Sequence, residues 1–170
     1  MKKRLGVLAL ILILVLTMFA GCSQEEGTNP ENPYAVNVDA AHFAEYLVSN
    51  IEFVDEMTLV DNDIALDFYG IDEADIKAAC VYMSTGATAE EIAVINVTND
   101  EAAGMIADIY EKRIENQISV FEDYVPGELT KLEQALIIQV DNAMVYVACD
   151  DPAAAEDTMI AYIEEFLAEK

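Results

Sequence analysis

Sixteen residues from Leu5 to Ala20 form an apolar run broken only by Gly6 and Thr17, so the folded part of the chain must be built from the residues beyond it. Met1-Lys2-Lys3-Arg4 precedes the run and Phe19-Ala20-Gly21-Cys22 ends it. At about 1.5 Å per residue a helix of this length falls short of the ~30 Å hydrocarbon core of a bilayer. A basic start, a short apolar centre and small residues at the end are the pattern of an export signal rather than of a membrane span.

Phe19-Ala20-Gly21-Cys22 resembles a lipobox, with Phe19 standing where the pattern usually has Leu. The resemblance implies cleavage before Cys22 and a diacylglyceryl thioether on its thiol. Each buried methylene contributes ~0.8 kcal/mol, so one acyl chain binds marginally and two hold stably without a spanning helix. The next stretch, Ser23 to Val38, carries Gln, Glu, Gly, Thr, Asn and two prolines with little periodic apolar content, the composition of a flexible tether. The expected organisation is a signal peptide over 1–21, a tether with a lipidated N-terminal cysteine over 22–37, and one domain over 38–170. The expected location is the extracytoplasmic face of the cell membrane, reached through the lipid on Cys22.

Charge narrows the partners. The whole chain has a formal net charge of −25. Loss of Lys2, Lys3 and Arg4 with the signal leaves Lys77, Lys112, Arg113, Lys131 and Lys170 against 33 acidic residues, or 5 − 33 = −28. Such a surface repels phosphate backbones, which excludes nucleic-acid binding by the usual Lys and Arg neutralisation. Anionic headgroups are repelled as well, so membrane attachment falls to the lipid. Cys80 and Cys149 lie in apolar, strand-like runs where cysteine behaves as a small buried hydrophobe, and the reading favours two free thiols.

Asp39 is a good N-cap for a first helix to about Asn50, with Phe43, Leu47 and Ile51 at helical spacing. A short second helix from Asp61 to Tyr69 closes at Gly70. From Ile76 the pattern turns to strand: Ala78 to Met83 and, after Ser84-Thr85-Gly86-Ala87-Thr88, Ile92 to Val97 form an antiparallel pair. Thr98 and Glu101 make a capping box for a long helix with a stripe of Ala103, Ile106, Tyr110, Ile114, Ile118 and Phe121, ended near Tyr124 by Pro126-Gly127. Ala135 to Asp141 and Met144 to Cys149 form a second strand pair. Asp151-Pro152 then starts the last helix, with Met159, Ile160, Ile163, Phe166 and Leu167 as its apolar face. Met105 to Glu111 and Met159 to Glu165 echo one another weakly. The expected fold class is α+β: a four-stranded, mainly antiparallel sheet with strand-strand-helix repeated twice, helices on one face, and an N-terminal helix before it.

A search for chemistry returns little. His42 is the single histidine, and no zinc spacing, phosphate loop, dinucleotide fingerprint or nucleophile elbow is present. Asp61, Asp63 and Asp67 approach a calcium loop, but Ala65 and Leu66 stand where a ligand and a glycine are needed. Glu90-Glu91, Asp150-Asp151 and Glu164-Glu165 are read as solvated surface in so acidic a chain. No catalytic residue, metal ligand or cofactor is expected. The one candidate binding loop is Ser84, Thr85, Gly86 and Thr88, whose hydroxyls and glycine also suit an ordinary turn.

Taken together, Ala79 to Val94 and Phe121-Glu122-Asp123-Tyr124-Val125-Pro126 resemble a domain-of-unknown-function family of lipoproteins from Gram-positive bacteria, over about Val38 to Lys170. The resemblance brings no activity or catalytic residues. It implies at most an accessory role beside membrane-bound acyltransferases that modify cell-surface polymers. The expected function is therefore a non-enzymatic binding or accessory module of the cell envelope with an envelope protein as partner. The rival is an envelope enzyme or accessory factor in modifying cell-surface polymers. An enzyme would require two acids facing each other in a cleft beside Tyr82 or Tyr146.

Overall fold

A computed structural model describes residues 37–167; the signal segment, Cys22 and the tether up to residue 36 lie outside the described residues. The chain there runs α1 (Ala40–Asn50), β1 (Thr58–Leu59), α2 (Asn62–Tyr69), β2 (Ala78–Met83), β3 (Glu91–Asn96), α3 (Asp100–Tyr124), α4 (Leu129–Glu133), β4 (Leu136–Val140), β5 (Ala143–Ala148) and α5 (Pro152–Tyr162). Short 3-10 turns over Glu73–Asp75 and Pro126–Glu128 and a π-turn over Ile163–Leu167 complete it. Among the described residues no helix is long and apolar enough to cross a membrane.

The strands form one antiparallel sheet in the order β1-β2-β3-β5-β4, which is five strands rather than the four expected. The extra one, β1, is a two-residue edge strand pairing Thr58 with Met83 and Leu59 with Tyr82, too short to leave a period-2 signal. Both expected pairs are present. Val81 sits opposite Ala93, Ala93 opposite Tyr146, and Tyr146 opposite Ile137, so a single register runs across four strands.

Helices cover both faces of the sheet, not one. Ala79, Val81, Ala93, Ile95, Met144 and Tyr146 point toward α2, α3 and α4, where Leu66, Ile106, Tyr110, Phe121 and Leu132 meet them. Cys80, Ile92, Val94, Val145 and Val147 point the other way, onto Phe43, Ala44 and Leu47 of α1 and Ala155, Met159 and Tyr162 of α5. Every residue of β3 and β5 is buried. A strand apolar on both sides needs a layer on each side, since successive side chains alternate between faces. The segments that echo one another, around Met105 and Met159, belong to helices on opposite faces.

Helix ends follow local chemistry. Asp39 accepts from the His42 amide at 2.9 Å, Asp151 from Ala154 at 3.0 Å with Pro152 in the first turn, and Gly70 closes α2 in the left-handed conformation at φ 69°. The long helix is capped one residue later than expected: Asn99, not Thr98, accepts from the Ala102 amide at 2.9 Å, while the Thr98 hydroxyl accepts from the Asn99 side-chain amide. Ile160 is also corrected, being 47% exposed rather than part of the buried face of α5. Cys80 and Cys149 are both free and buried.

The two ends of the sheet differ in what they hold. At one end Val38 donates to the Asn142 side chain at 2.7 Å and Ala40 to the Asn96 side chain at 3.1 Å, fixing where the chain enters the domain. At the other end lie the β2–β3 turn, Glu90 and Glu91. Six-residue strands at about 3.4 Å per residue separate the two by roughly 17 Å.

Candidate functional site

Glu90 and Glu91 are each only 1% exposed, which corrects the reading of this pair as solvated surface. Burying a carboxylate is costly unless it is paired and hydrogen-bonded, and both are. Glu91, the first residue of β3, accepts Nη2 of Arg113 at 2.7 Å and Nε at 3.2 Å, and Nε2 of Gln117 at 2.5 Å. The Tyr69 hydroxyl donates to the same carboxylate. Burial, with the Glu91 charge next to it, pushes the Tyr69 phenol well above its usual range, so the proton stays on tyrosine. Arg113 and Gln117 are four residues apart and so share one face of α3. The Arg113 guanidinium also lies 4.2 Å over the Phe68 ring.

Glu90, the residue just before β3, ties down a different set of groups. It accepts from the amides of Val54 at 2.9 Å and Asp55 at 2.9 Å, from the Thr88 hydroxyl at 3.0 Å and from Nζ of Lys131 at 3.1 Å. Lys131 reaches Glu128 at 3.1 Å and Asp150 at 3.4 Å as well, and Glu128 receives the Ala89 amide at 2.9 Å. The result is a polar clasp joining the segment after α1, the β2–β3 turn, α4 and the end of β5. Burial pushes the Glu90 carboxyl up, but the Val54 and Asp55 amides, Lys131 and Thr88 outweigh it and hold the group below its ordinary 4.5. A carboxylate held ionised this way is a poor proton donor at neutral pH.

That depression has a consequence for stability. A carboxylate whose pKa is lower folded than unfolded stabilises the fold above the unfolded value and loses that contribution as pH falls through the folded one. Urea unfolding between about pH 7 and pH 3 is expected to show stability flat down to about pH 5 and falling below it. Glu90→Gln is expected to be less stable than the parent at neutral pH and to show a weaker acid dependence; equal slopes for both would contradict this.

Beside Glu91 is a pocket of about 370 Å³. Phe68 of α2, Arg113, Gln117, Val120 and Phe121 of α3, and Met83 with the β2–β3 turn wall it. The turn contributes Ser84, Thr85, Gly86 and Thr88, all four of the residues that the sequence marks as a candidate loop. Their own chemistry is largely local. Ser84 donates to the Thr88 carbonyl at 2.7 Å, Thr85 Oγ1 donates to Asp55 at 2.5 Å, and Gly86 takes φ 91°, where a Cβ would be strained although nothing lies within 4 Å of it. Phe68 is 54% exposed and Val120 62%, so two large apolar side chains stand at the pocket wall in contact with solvent.

The remaining candidates fall elsewhere. His42 is exposed on α1, its Nδ1 3.0 Å from the Tyr162 hydroxyl and its ring edge-on to Phe166. Asp61 caps α2 by accepting from the Asp63 amide at 3.1 Å, and Asp150, Asp151, Glu164 and Glu165 are exposed. Among the described residues no group of three or more His, Cys, Asp or Glu is placed to hold a metal ion. Glu90 and Glu91 both line the pocket, but each carboxylate is engaged by its own cation, Lys131 and Arg113 respectively, so they do not form the free acid pair that an enzyme reading requires. Tyr146 is fully buried, and its hydroxyl has no hydrogen-bond partner among the described residues. Removing an unpaired buried hydroxyl relieves a desolvation cost of about 1 kcal/mol or more, so Tyr146→Phe is expected to raise the melting temperature by a few degrees. A fall in scanning calorimetry would count against this placement of the ring.

The sequence leaves no direct sign of the Arg113–Glu91 and Lys131–Glu90 pairing, since the partners are 22 and 41 residues apart. No curated protein and no solved structure matches the chain. A family model does, over residues 42–149, which takes in nearly all of α1 and everything from there to the end of β5, the pocket and both buried ion pairs. With more than half of its length matched, the chain belongs to the family described as a domain of unknown function, DUF4358.

Proposed function

We propose that the protein is a lipoprotein of the cell envelope, held by acyl chains on Cys22 at the extracytoplasmic face of the membrane, whose domain works as a non-enzymatic binding or accessory module. The observation that carries this reading is the division of labour between the two ends of the sheet. The chain enters at the Asn96 and Asn142 end, while the pocket with its exposed Phe68 and Val120 opens at the opposite end. A tether of some 16 residues, from Cys22 to Asn37, then leads from the membrane to the end of the domain away from that pocket.

The chemistry of the site points toward binding rather than turnover. Glu91 and Glu90 serve as internal counter-ions, and the cations that line or approach the pocket are already engaged by them. Labelling of growing cells with a traceable fatty acid tests the anchor: the parent chain takes up label and Cys22→Ala does not. Protease added to intact cells, with any outer barrier removed, is expected to digest the domain. An unlabelled parent, or a domain wholly shielded from the protease, contradicts the proposal.

A further inference from the structure

We infer that the pocket end docks a basic segment of a partner protein that carries apolar side chains, one of which fills the space between Phe68, Val120 and Phe121. This rests on the reading of the domain as a binding module and names what the module binds. Seven large hydrophobic residues are exposed among the described residues, and several gather at this end. Phe68 and Val120 wall the pocket; Tyr124, 65% exposed, stands one helical turn beyond Val120 on α3; and Val54, 73% exposed, sits where its amide is held by Glu90. The apolar exposure thus runs past the pocket mouth. A small ligand confined to about 370 Å³ would leave Tyr124 and Val54 wet, whereas a polypeptide segment covers them.

Charge selects among polypeptides. Glu52 and Glu56 after α1, Glu122 and Asp123 at the end of α3, and Asp150 and Asp151 after β5 are all exposed at this same end. Arg113, the cation that lines the pocket, is bound to Glu91, and Lys131 is shared among Glu90, Glu128 and Asp150. Among the described residues that line the pocket, no spare positive charge is left to balance those acids. A second copy of the chain, with its own large negative charge, is repelled, as is a surface of anionic lipid; a segment bearing Lys or Arg between apolar residues is attracted. Groups for main-chain recognition are at hand. The Gln117 amide donates to Glu91 through Nε2, and Asn116 is exposed on the pocket wall.

The test uses the full chain in a non-ionic detergent and three labelled heptapeptides read by fluorescence anisotropy: Lys-Phe-Lys-Leu-Lys-Phe-Lys, the same peptide with every Lys replaced by Glu, and the same peptide with every Phe and Leu replaced by Ser. The first is expected to bind at least tenfold tighter than either of the others, weakening as salt rises. Phe68→Ser with Val120→Ser, both more than half exposed and checked for native circular dichroism because Phe68 also touches Arg113, is expected to remove at least a tenfold share of that affinity, whereas Ile160→Ser, exposed on the opposite layer, leaves it unchanged. Equal binding of the Lys/Ser peptide would mean that charge alone acts, equal binding of the Glu peptide that apolarity alone acts, and equal loss from Ile160→Ser that the pocket is not the site. Each of these overturns the inference, as does no binding at all. None of them touches fatty-acid labelling at Cys22, so failure here is distinct from failure of the anchored-module reading.

Discussion

Arg113→Met is expected to cost the domain about 3–5 kcal/mol, because it strips the cation from a carboxylate that is 1% exposed and cannot retreat to water. The Tyr69 hydroxyl and the Gln117 amide remain as donors to Glu91, but neither carries charge. The contact of the guanidinium with Phe68 is lost as well. For a domain of this size the melting temperature is expected to fall by roughly 10–20 °C. Lys112→Met, one residue away and exposed, is expected to change stability by no more than about 0.5 kcal/mol. Arg113→Lys is expected to fall between the two, since an ammonium restores the charge but not the two-point contact. Circular dichroism followed through heating distinguishes these variants; similar melting of Arg113→Met and Lys112→Met would mean that Glu91 is not buried against Arg113.

The second large effect lies on the other face of the sheet. Phe43 of α1 is fully buried and stacks on Tyr162 of α5 at 4.1 Å between ring centres, so it joins the two helices of that layer to each other and to β3 and β5. Phe43→Ala is expected to cost about 3–5 kcal/mol, the range for deleting a buried aromatic ring. A domain with helices on one face only would leave α1 peripheral, and the same substitution would then cost little. Urea unfolding that shifts by less than about 1 kcal/mol, well short of that range, would contradict the three-layer arrangement.

Much of the fold is legible in the residues themselves. Asp39, Asp151-Pro152 and Gly70 mark helix ends by chemistry that acts within a few residues, and β2, β3, β4 and β5 announce themselves by short, mostly apolar runs between turn residues. What is not legible is set by distant contacts. The chain from Ile92 to Ile95 is apolar on successive residues, and so is the chain from Ala143 to Ala148; this is the signature of strands covered on both sides, which helices on one face alone do not satisfy. Thr58–Leu59 becomes a strand only because β2 offers a free edge.

The site divides in the same way. Ser84, Thr85, Gly86 and Thr88 can be picked out because a hydroxyl-rich turn between two strands is a local pattern, and they do line the pocket. Glu90 and Glu91 look like two acids among many. A signal is present nonetheless: Glu91 holds an inward register position at the head of a buried strand, in a chain whose only arginines are Arg4 and Arg113. So scarce a cation, placed mid-helix four residues before a buried Gln117, is more informative than any of the acids.

The claim on which the functional reading depends is that the acidic domain is tied to the membrane by lipid on one cysteine. Intact-mass measurement of the chain extracted from membranes tests it most directly. The expected mass is that of a polypeptide starting at Cys22 with at least a diacylglyceryl group added. A mass corresponding to residues 1–170 without acyl chains would contradict it.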